Sequence, residues 1–386
     1  MANRINSRPD FEKKVCLIYN FALHYRSAIF QLLDKDIKCD FYFGDSLGDL
    51  KKMDYTLLIN FKKELKNVRL IKAIYWQKGA VNLFFKNYDT YIILGEYYCI
   101  STWILLFLCK FSKKKIFLWT HGWYGNESMI KRVIKKLFYS LGDGMLLYGN
   151  YARELMIKEG FKPSKLNVVY NSLDYSLQCQ IRKNLKNSTI FSDYFKNDYP
   201  VLIFVGRLTK EKKLEQLIQA NSLLLKKGIY ANLVFVGTGA ARNDLRQQIL
   251  KTEQNNYWLY GECYEETKLA ELIFNSTVCV SPGNVGLTAM HSLVYGTPVI
   301  THNDFANQMP EFEAIIPGET GDFFIKDNIA DLSNFIGKWI GNMDNREDVR
   351  KSCFDIIDKF YNPTFQLQVI KKVINVHETT IEAGLS

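Results

Sequence analysis

What this 386-residue sequence lacks narrows its class quickly. No apolar run reaches the roughly 18 residues that span a bilayer. The most apolar stretch, 97–109 between Glu96 and Lys110, is shorter than that and reads as a buried helix. The first 14 residues are polar, so a secretory signal is not expected. Eight cysteines are spread along the chain with no CxxC pair. That pattern fits reduced, buried thiols of a cytosolic protein and argues against a disulfide framework or a zinc site. There is no HExxH, no Cys/His cluster and no Gly-x-x-x-x-Gly-Lys-Ser/Thr, so no metal site is expected. Hydrophobic residues make up 47% and charged residues 23%, which excludes disordered, collagenous and low-complexity chains. The length suggests two or three domains.

Charge is present but uneven. The net charge is +10; residues 1–200 carry +14 and residues 201–386 carry −4. The basic half predicts an acidic counterpart or a solvated lysine surface. No RNA- or DNA-binding module accompanies it, so nucleic acid is not expected as a partner.

Short apolar strands alternate with amphipathic helices. Strands are predicted at 15–19, 40–43, 90–94, 115–119 and 145–148, with helices at 26–35, 97–111, 128–140 and 151–160. A polar, poorly patterned stretch, 176–199, reads as a linker. A second series follows, with strands at 201–205, 232–236, 257–260, 277–280 and 298–300 and helices at 212–227, 241–253, 265–275 and 287–295. Near-continuous apolar strands imply parallel sheets covered on both faces. The fold class is therefore α/β, with two Rossmann-like domains in tandem. The expected boundaries are 1–180 and 181–364, with 365–386 as a helix crossing back onto the first domain.

Several segments carry chemistry. In Val205-Gly206-Arg207-Leu208-Thr209-Lys210-Glu211-Lys212, a strand ends, glycine lets the chain turn, and two cations lie five apart. Arg207 can fork two phosphate oxygens and Lys212 adds a point charge. Ser281-Pro282-Gly283-Asn284-Val285-Gly286-Leu287 leads into a short helix bearing His291, and the amides near Gly286 and Leu287 make an anion site. Glu96 follows the strand 91–94 and points toward the cleft as an acceptor contact. The helix 128–140 has Ile130, Val133, Ile134, Leu137 and Phe138 as its apolar set and Lys131, Arg132, Lys135 and Lys136 on the rest. It suits either an anionic lipid surface or a core-facing helix with a solvated basic side. Asp34-Lys35-Asp36 has the spacing of a metal-binding Asp-x-Asp but lies near a helix end and reads as a turn.

The two second-half segments resemble the donor site of family-4 (group 1) glycosyltransferases of GT-B fold. The resemblance covers about residues 200–325 well and the first half loosely. It rests on the Gly-Arg-Leu-x-x-x-Lys run paired with Gly286-Leu287 and Tyr295-Gly-Thr-Pro-Val-Ile300. It also takes in Gly237-Thr238-Gly239 as a nucleotide-side loop, and Pro310-Glu311 with Gly318–Gly321 as a segment closing the donor pocket. Asn171 and Asp174 match the segment leading into the second domain. One departure stands out. The family's two glutamates, eight positions apart, are Gly283 and His291 here.

The resemblance implies a retaining, metal-independent transfer of sugar from a nucleotide diphosphate, UDP- or GDP-linked. The acceptor would be a glycan or a lipid-diphosphate-linked hydroxyl, in bacterial capsule, exopolysaccharide or O-antigen synthesis. No further cofactor is implied. Arg207, Lys212 and His121 take catalytic positions, His121 beside the reacting sugar. Gly206, Gly237, Gly239, Asn284, Val285, Gly286, Leu287, His291 and Glu311 take donor-binding positions. Asn20, His24 and Arg26 stand where the family has a Gly-rich loop and can meet acceptor or donor phosphate; Arg26 also reads as a surface cation at a helix start. The implied location is cytoplasmic, peripheral on the inner face of the cytoplasmic membrane. The altered glutamates leave open a non-catalytic subunit scaffolding a polysaccharide enzyme, and the fold leaves open a nucleotide-sugar epimerase.

Overall fold

The computed structural model describes residues 14–46, 51–252 and 255–374. In the first lobe the elements run β1 (Val15–Tyr19), α1 (Ser27–Ile37), β2 (Asp40–Gly44), β3 (Phe61–Ile71), β4 (Ile74–Lys78), β5 (Thr90–Leu94), α2 (Ile100–Lys110), β6 (Lys115–Thr120), α3 (Met129–Ser140), β7 (Gly144–Leu147), α4 (Asn150–Lys158) and β8 (Leu166–Val168). The second lobe runs α5 (Tyr175–Arg182), α6 (Ile190–Phe195), β9 (Val201–Val205), α7 (Leu214–Lys226), β10 (Asn232–Val236), α8 (Arg242–Leu250), β11 (Tyr257–Gly261), α9 (Glu266–Phe274), β12 (Val278–Ser281), α10 (Leu287–Val294), β13 (Val299–His302), β14 (Gly321–Phe324), α11 (Ile329–Gly341) and α12 (Arg346–Phe360). A last helix, α13 (Pro363–Ile374), follows.

The first sheet has the order β4-β3-β2-β1-β5-β6-β7-β8 and the second β11-β10-β9-β12-β13-β14. All pairings are parallel except β3 with β4. The two Rossmann-like lobes expected from the alternation are therefore present. Strands such as Val15–Tyr19 and Val201–Val205 are buried along their whole length because helices cover both faces. The chain crosses between lobes after Val169, since Val169 lies in the first core and Leu173 in the second. It returns through α13, whose Leu367, Ile370 and Ile374 pack into the core that holds Ile29, Phe30 and Leu33 of α1. Lys371 pairs with Asp36 at 2.7 Å.

Four expectations need correction. The stretch 176–199 is not a linker. Its helices α5 and α6 pack on the second lobe through Tyr194, stacked on Trp258 at 3.9 Å, and through an Arg182–Asp358 pair at 2.8 Å. The helix within 97–111 is buried on one side only; Ile104 and Phe107 face solvent. In α3, of the apolar set, only Phe138 is buried, while Lys135 points inward. Asp34, read with Asp36 as a turn, lies within α1 instead. It accepts from the Asn60 side chain at 2.7 Å and from the backbone amides of Ile59 and Asn60. All eight cysteines are free thiols, six of them buried.

Candidate active site

Open α/β sheets bind ligands beyond the carboxyl ends of their strands. In the first lobe those ends deliver Asn20 after β1, Glu96 after β5 and His121 after β6. Together with Arg26 they line one cavity of about 290 Å³. Asn20 donates to both Glu96 oxygens at 3.0 Å, and the Tyr75 hydroxyl donates to Glu96 Oε2 at 2.7 Å. Burial raises the Glu96 pKa above the usual carboxylate range, against these hydrogen bonds.

Arg26 is not a surface cation. It is 7% exposed, with its guanidinium carbon 5.1 to 5.7 Å from the rings of Tyr19, Tyr25, Trp119 and Tyr148. Nη2 donates to the Tyr148 hydroxyl, and Nη1 is buried without a protein partner. A buried donor left unpaired is costly, which makes Nη1 available to a ligand.

The His121 ring lies 4.7 Å from that of Tyr148, and its buried Nδ1 has no protein partner. Burial, then Arg26 and Lys135, push its pKa down to about 4. The imidazole is therefore neutral at pH 7. Its loop is clamped from within. Lys135 donates to Gly122 O at 2.5 Å and to Glu127 at 2.6 Å, and Glu127 accepts from the amides of Tyr124 and Gly125, each at 2.9 Å. His24 does not join this cavity; it is exposed at the cleft rim.

In the second lobe, β9 ends at Val205 and Gly206 follows with φ 143°. A Cβ on Gly237 would lie 1.9 Å from Gly206 O, and one on Gly239 2.4 Å from Leu208 O. These glycines let the β9 and β10 loops pack backbone against backbone. Lys212 Nζ donates to Asn284 O at 2.6 Å and to Asn284 Oδ1 at 2.7 Å. Burial, then the neighbouring Arg207, pull its pKa down to about 8. Arg207 itself is exposed, with no ion pair among the described residues.

The position of Gly283 explains one missing glutamate. Its amide donates to Lys212 O at 3.0 Å, and a Cβ there would lie 2.0 Å from Glu211 O. The turn carrying Lys212 fills the space in which a side chain at 283 would begin.

Val285 is corrected from ligand contact to support. Its side chain is buried and its amide is already taken by Gln308 Oε1 at 2.9 Å. Gly286, at φ 54°, opens α10; the Leu287 amide at its start has no helical acceptor, while that of Ala289 donates to Gly286 O at 3.1 Å. On the same helix, His291 Nδ1 sits 3.7 Å from Glu266 of α9. Glu266 also accepts from Tyr295 at 2.6 Å and Gln178 at 2.9 Å. Burial lowers the His291 pKa, Glu266 opposes this, and His24 across the cleft adds to it.

Glu311 links the lobes. It is 3% exposed; Oε1 accepts from Asn171 at 2.8 Å, while Oε2 is buried without a protein partner. Burial raises its pKa, and both Arg26 and Lys212 counter that rise. First-lobe and second-lobe cations thus converge on one carboxylate. Nearby, Glu313 caps α4 across the cleft, accepting from the amides of Asn150 and Tyr151 at 2.7 Å each. Burial lifts its pKa to about 7. Glu266, Glu313, Tyr148 and the Lys135–Glu127 pair were not expected as site residues, because what marks each is a tertiary partner: His291 for Glu266, the α4 amides for Glu313, Arg26 for Tyr148 and the Gly122 carbonyl for Lys135.

Residues 186–353 match the family described as glycosyl transferases group 1. An uncharacterized glycosyltransferase of Methanocaldococcus jannaschii is 28% identical over 144 residues, 35% of this chain and 36% of that protein. A capsular polysaccharide biosynthesis glycosyltransferase, CapM of Staphylococcus aureus, is 26% identical over 198 residues, 49% of each. The alpha-monoglucosyldiacylglycerol synthase of Streptococcus pneumoniae is 24% identical over 192 residues, 47% of this chain and 42% of that protein. Each match thus spans less than half of the curated relative. Anabaena HepE, solved with UDP, superposes with a TM-score of 0.70 at 12% identity, covering 94% of this chain and all of that one. The fold is GT-B, and these likenesses support a group 1 glycosyltransferase.

Proposed function

We propose that this protein is a retaining glycosyltransferase that moves a sugar from a nucleotide diphosphate to a hydroxyl of a glycan or lipid-linked acceptor. The observation that carries the reading is Lys212. It is fixed by Asn284 and by the close approach of Gly283, beside Arg207 and in the field of Glu311. In this reading Arg207, Lys212 and the first amides of α10 take the diphosphate. The sugar extends toward Glu311, Arg26 and His121, whose unpartnered polar atoms await hydroxyls or phosphate oxygens. The acceptor enters the first-lobe cavity by Asn20 and Glu96.

The bond from the anomeric carbon to the phosphate oxygen breaks as the acceptor oxygen bonds that carbon. The acceptor's proton passes to the leaving phosphate, so no protein base is required. Charge growing on the diphosphate is stabilised by fixed cations and amides more in the transition state than in the ground state. Those cations do the work a metal does elsewhere. Closure of the cleft, tied by Glu313 and by Asn126 to Ala306 O at 2.9 Å, excludes water.

The likeness to CapM and to the glucolipid synthase favours capsular polysaccharide or glycolipid assembly as the setting, and HepE makes UDP the first nucleotide to test. A non-catalytic scaffolding subunit is the second reading, favoured by Gly283 and His291 in place of the family's glutamates. The test offers UDP- and GDP-sugars to the purified protein, with and without acceptor oligosaccharides. Transfer or donor hydrolysis supports the enzyme. Binding without turnover supports the scaffold, and conversion of donor alone to its epimer supports an epimerase.

A further inference from the structure

A surface helix ordinarily turns its apolar stripe to the core and its charges to water. Helix α3 instead turns most of its apolar stripe to water and one of its lysines to the core. Its Lys135 side chain is 2% exposed, yet Ile130 is 75% and Val133 64% exposed, with Met129, Ile134 and Leu137 beside them. The inversion is anchored from beneath by the Lys135–Glu127 pair, which a rotated helix would break. Helix α2 lies alongside, joined by Trp103 and Phe138 with ring centroids 4.9 Å apart. It also presents Ile104, Phe107 and Phe111 outward. Exposed apolar side chains gathered on two neighbouring helices mark an interaction site.

Charge identifies the partner. Residues 99–141 contain eight Lys or Arg and a single acid, Glu127, which Lys135 neutralises internally. Lys110, Lys113 and Lys136 are exposed and form no ion pair among the described residues. An apolar ridge with a cationic rim matches a bilayer that carries anionic headgroups.

We propose that α2 and α3 form a docking face that seats this protein peripherally on an anionic lipid bilayer. No helix among the described residues is long and apolar enough to cross one. Lys131, Lys135 and Tyr139 of α3 also wall the first-lobe cavity, so docking holds that cavity beside the lipid headgroups. The docking claim stands independently of the proposed reaction.

The full-length protein is sedimented with vesicles of phosphatidylcholine alone and of phosphatidylcholine with phosphatidylglycerol. Two variants accompany it: Ile130→Ser/Val133→Ser/Leu137→Ser and Lys113→Glu/Lys136→Glu. All five positions are exposed, so thermal melting should be unchanged; if the triple variant fails to fold, the charge variant still decides. The expected result is binding to the anionic vesicles, weakened by salt and at least tenfold weaker for either variant. No binding to anionic vesicles overturns the proposal, as does equal binding to both vesicle types or binding that neither variant weakens. A dimer in light scattering that the triple variant dissociates also overturns it, by assigning the face to a second copy of the chain.

Discussion

Replacing Gly283 by alanine tests how the second lobe holds its cation. The added Cβ would sit 2.0 Å from Glu211 O and 2.8 Å from the Lys212 Cα, where ordinary contact begins at 3.4 Å. The turn must retreat by about 1.4 Å, the difference between the first and last of these distances. That retreat breaks the Gly283 N–H to Lys212 O bond of 3.0 Å and carries Lys212 Nζ off Asn284. A misplacement of about 1 Å can cost on the order of a hundredfold in rate. Losing one preorganised charge-stabilising donor costs about 2.7–4 kcal/mol, which agrees. The expected outcome is therefore a fall in kcat/KM of roughly 100-fold or more for Gly283→Ala, in a protein that still folds but melts at a lower temperature because the turn is displaced. Gly283→Glu, which restores the family's residue, should do worse. If the effect runs through Lys212, the double variant Gly283→Ala/Lys212→Ala is no slower than Lys212→Ala alone. Wild-type activity in folded Gly283→Ala, or additive losses in the double variant, would refute the reasoning.

Three further outcomes follow from the site's electrostatics. Lys212, with a pKa near 8, binds diphosphate as the ammonium, so nucleotide affinity should be level below pH 8 and fall above it, as read by titration calorimetry across pH 6.5–9.5. Affinity that is flat through pH 9 contradicts that. Glu313 has a closed-state pKa of about 7 against an ordinary 4.5, so protonation favours the closed protein. Its contribution is full below pH 4.5 and lost as pH rises through 7; melting temperatures from pH 5 to 8 should fall more steeply for the wild type than for Glu313→Gln. His121→Ala should lower kcat on the order of 100-fold while leaving UDP affinity unchanged, since His121 faces the sugar rather than the diphosphate.

How much of this was legible beforehand depended on whether a signal was local. Strands β1, β5, β6, β9 and β10 are runs of apolar residues buried on both faces, and the sequence marks them plainly. The β3–β4 hairpin escaped because it lies at the sheet edge, where only Leu65 and Gln77 are buried among lysines and solvent-exposed apolar residues. Spacing identified α3 as amphipathic but not which side would face inward, because Lys135, Glu127 and Gly122 O fix that through tertiary contacts. Of the site, the Gly206–Lys212 run and the Gly283–His291 segment were readable as motifs. Burial of Arg26 among four aromatic rings was not, since Tyr19, Trp119 and Tyr148 meet it from three different strand ends. The partner of His291 was equally hidden: Glu266 stands on a neighbouring helix, with nothing in its own surroundings to mark it.

The most direct measurement is the affinity of UDP and GDP for wild-type protein and for Lys212→Ala, by calorimetry at pH 7. One nucleotide should bind the wild type and bind the folded variant at least tenfold more weakly. Equal affinity in the two proteins would contradict a diphosphate held at Lys212.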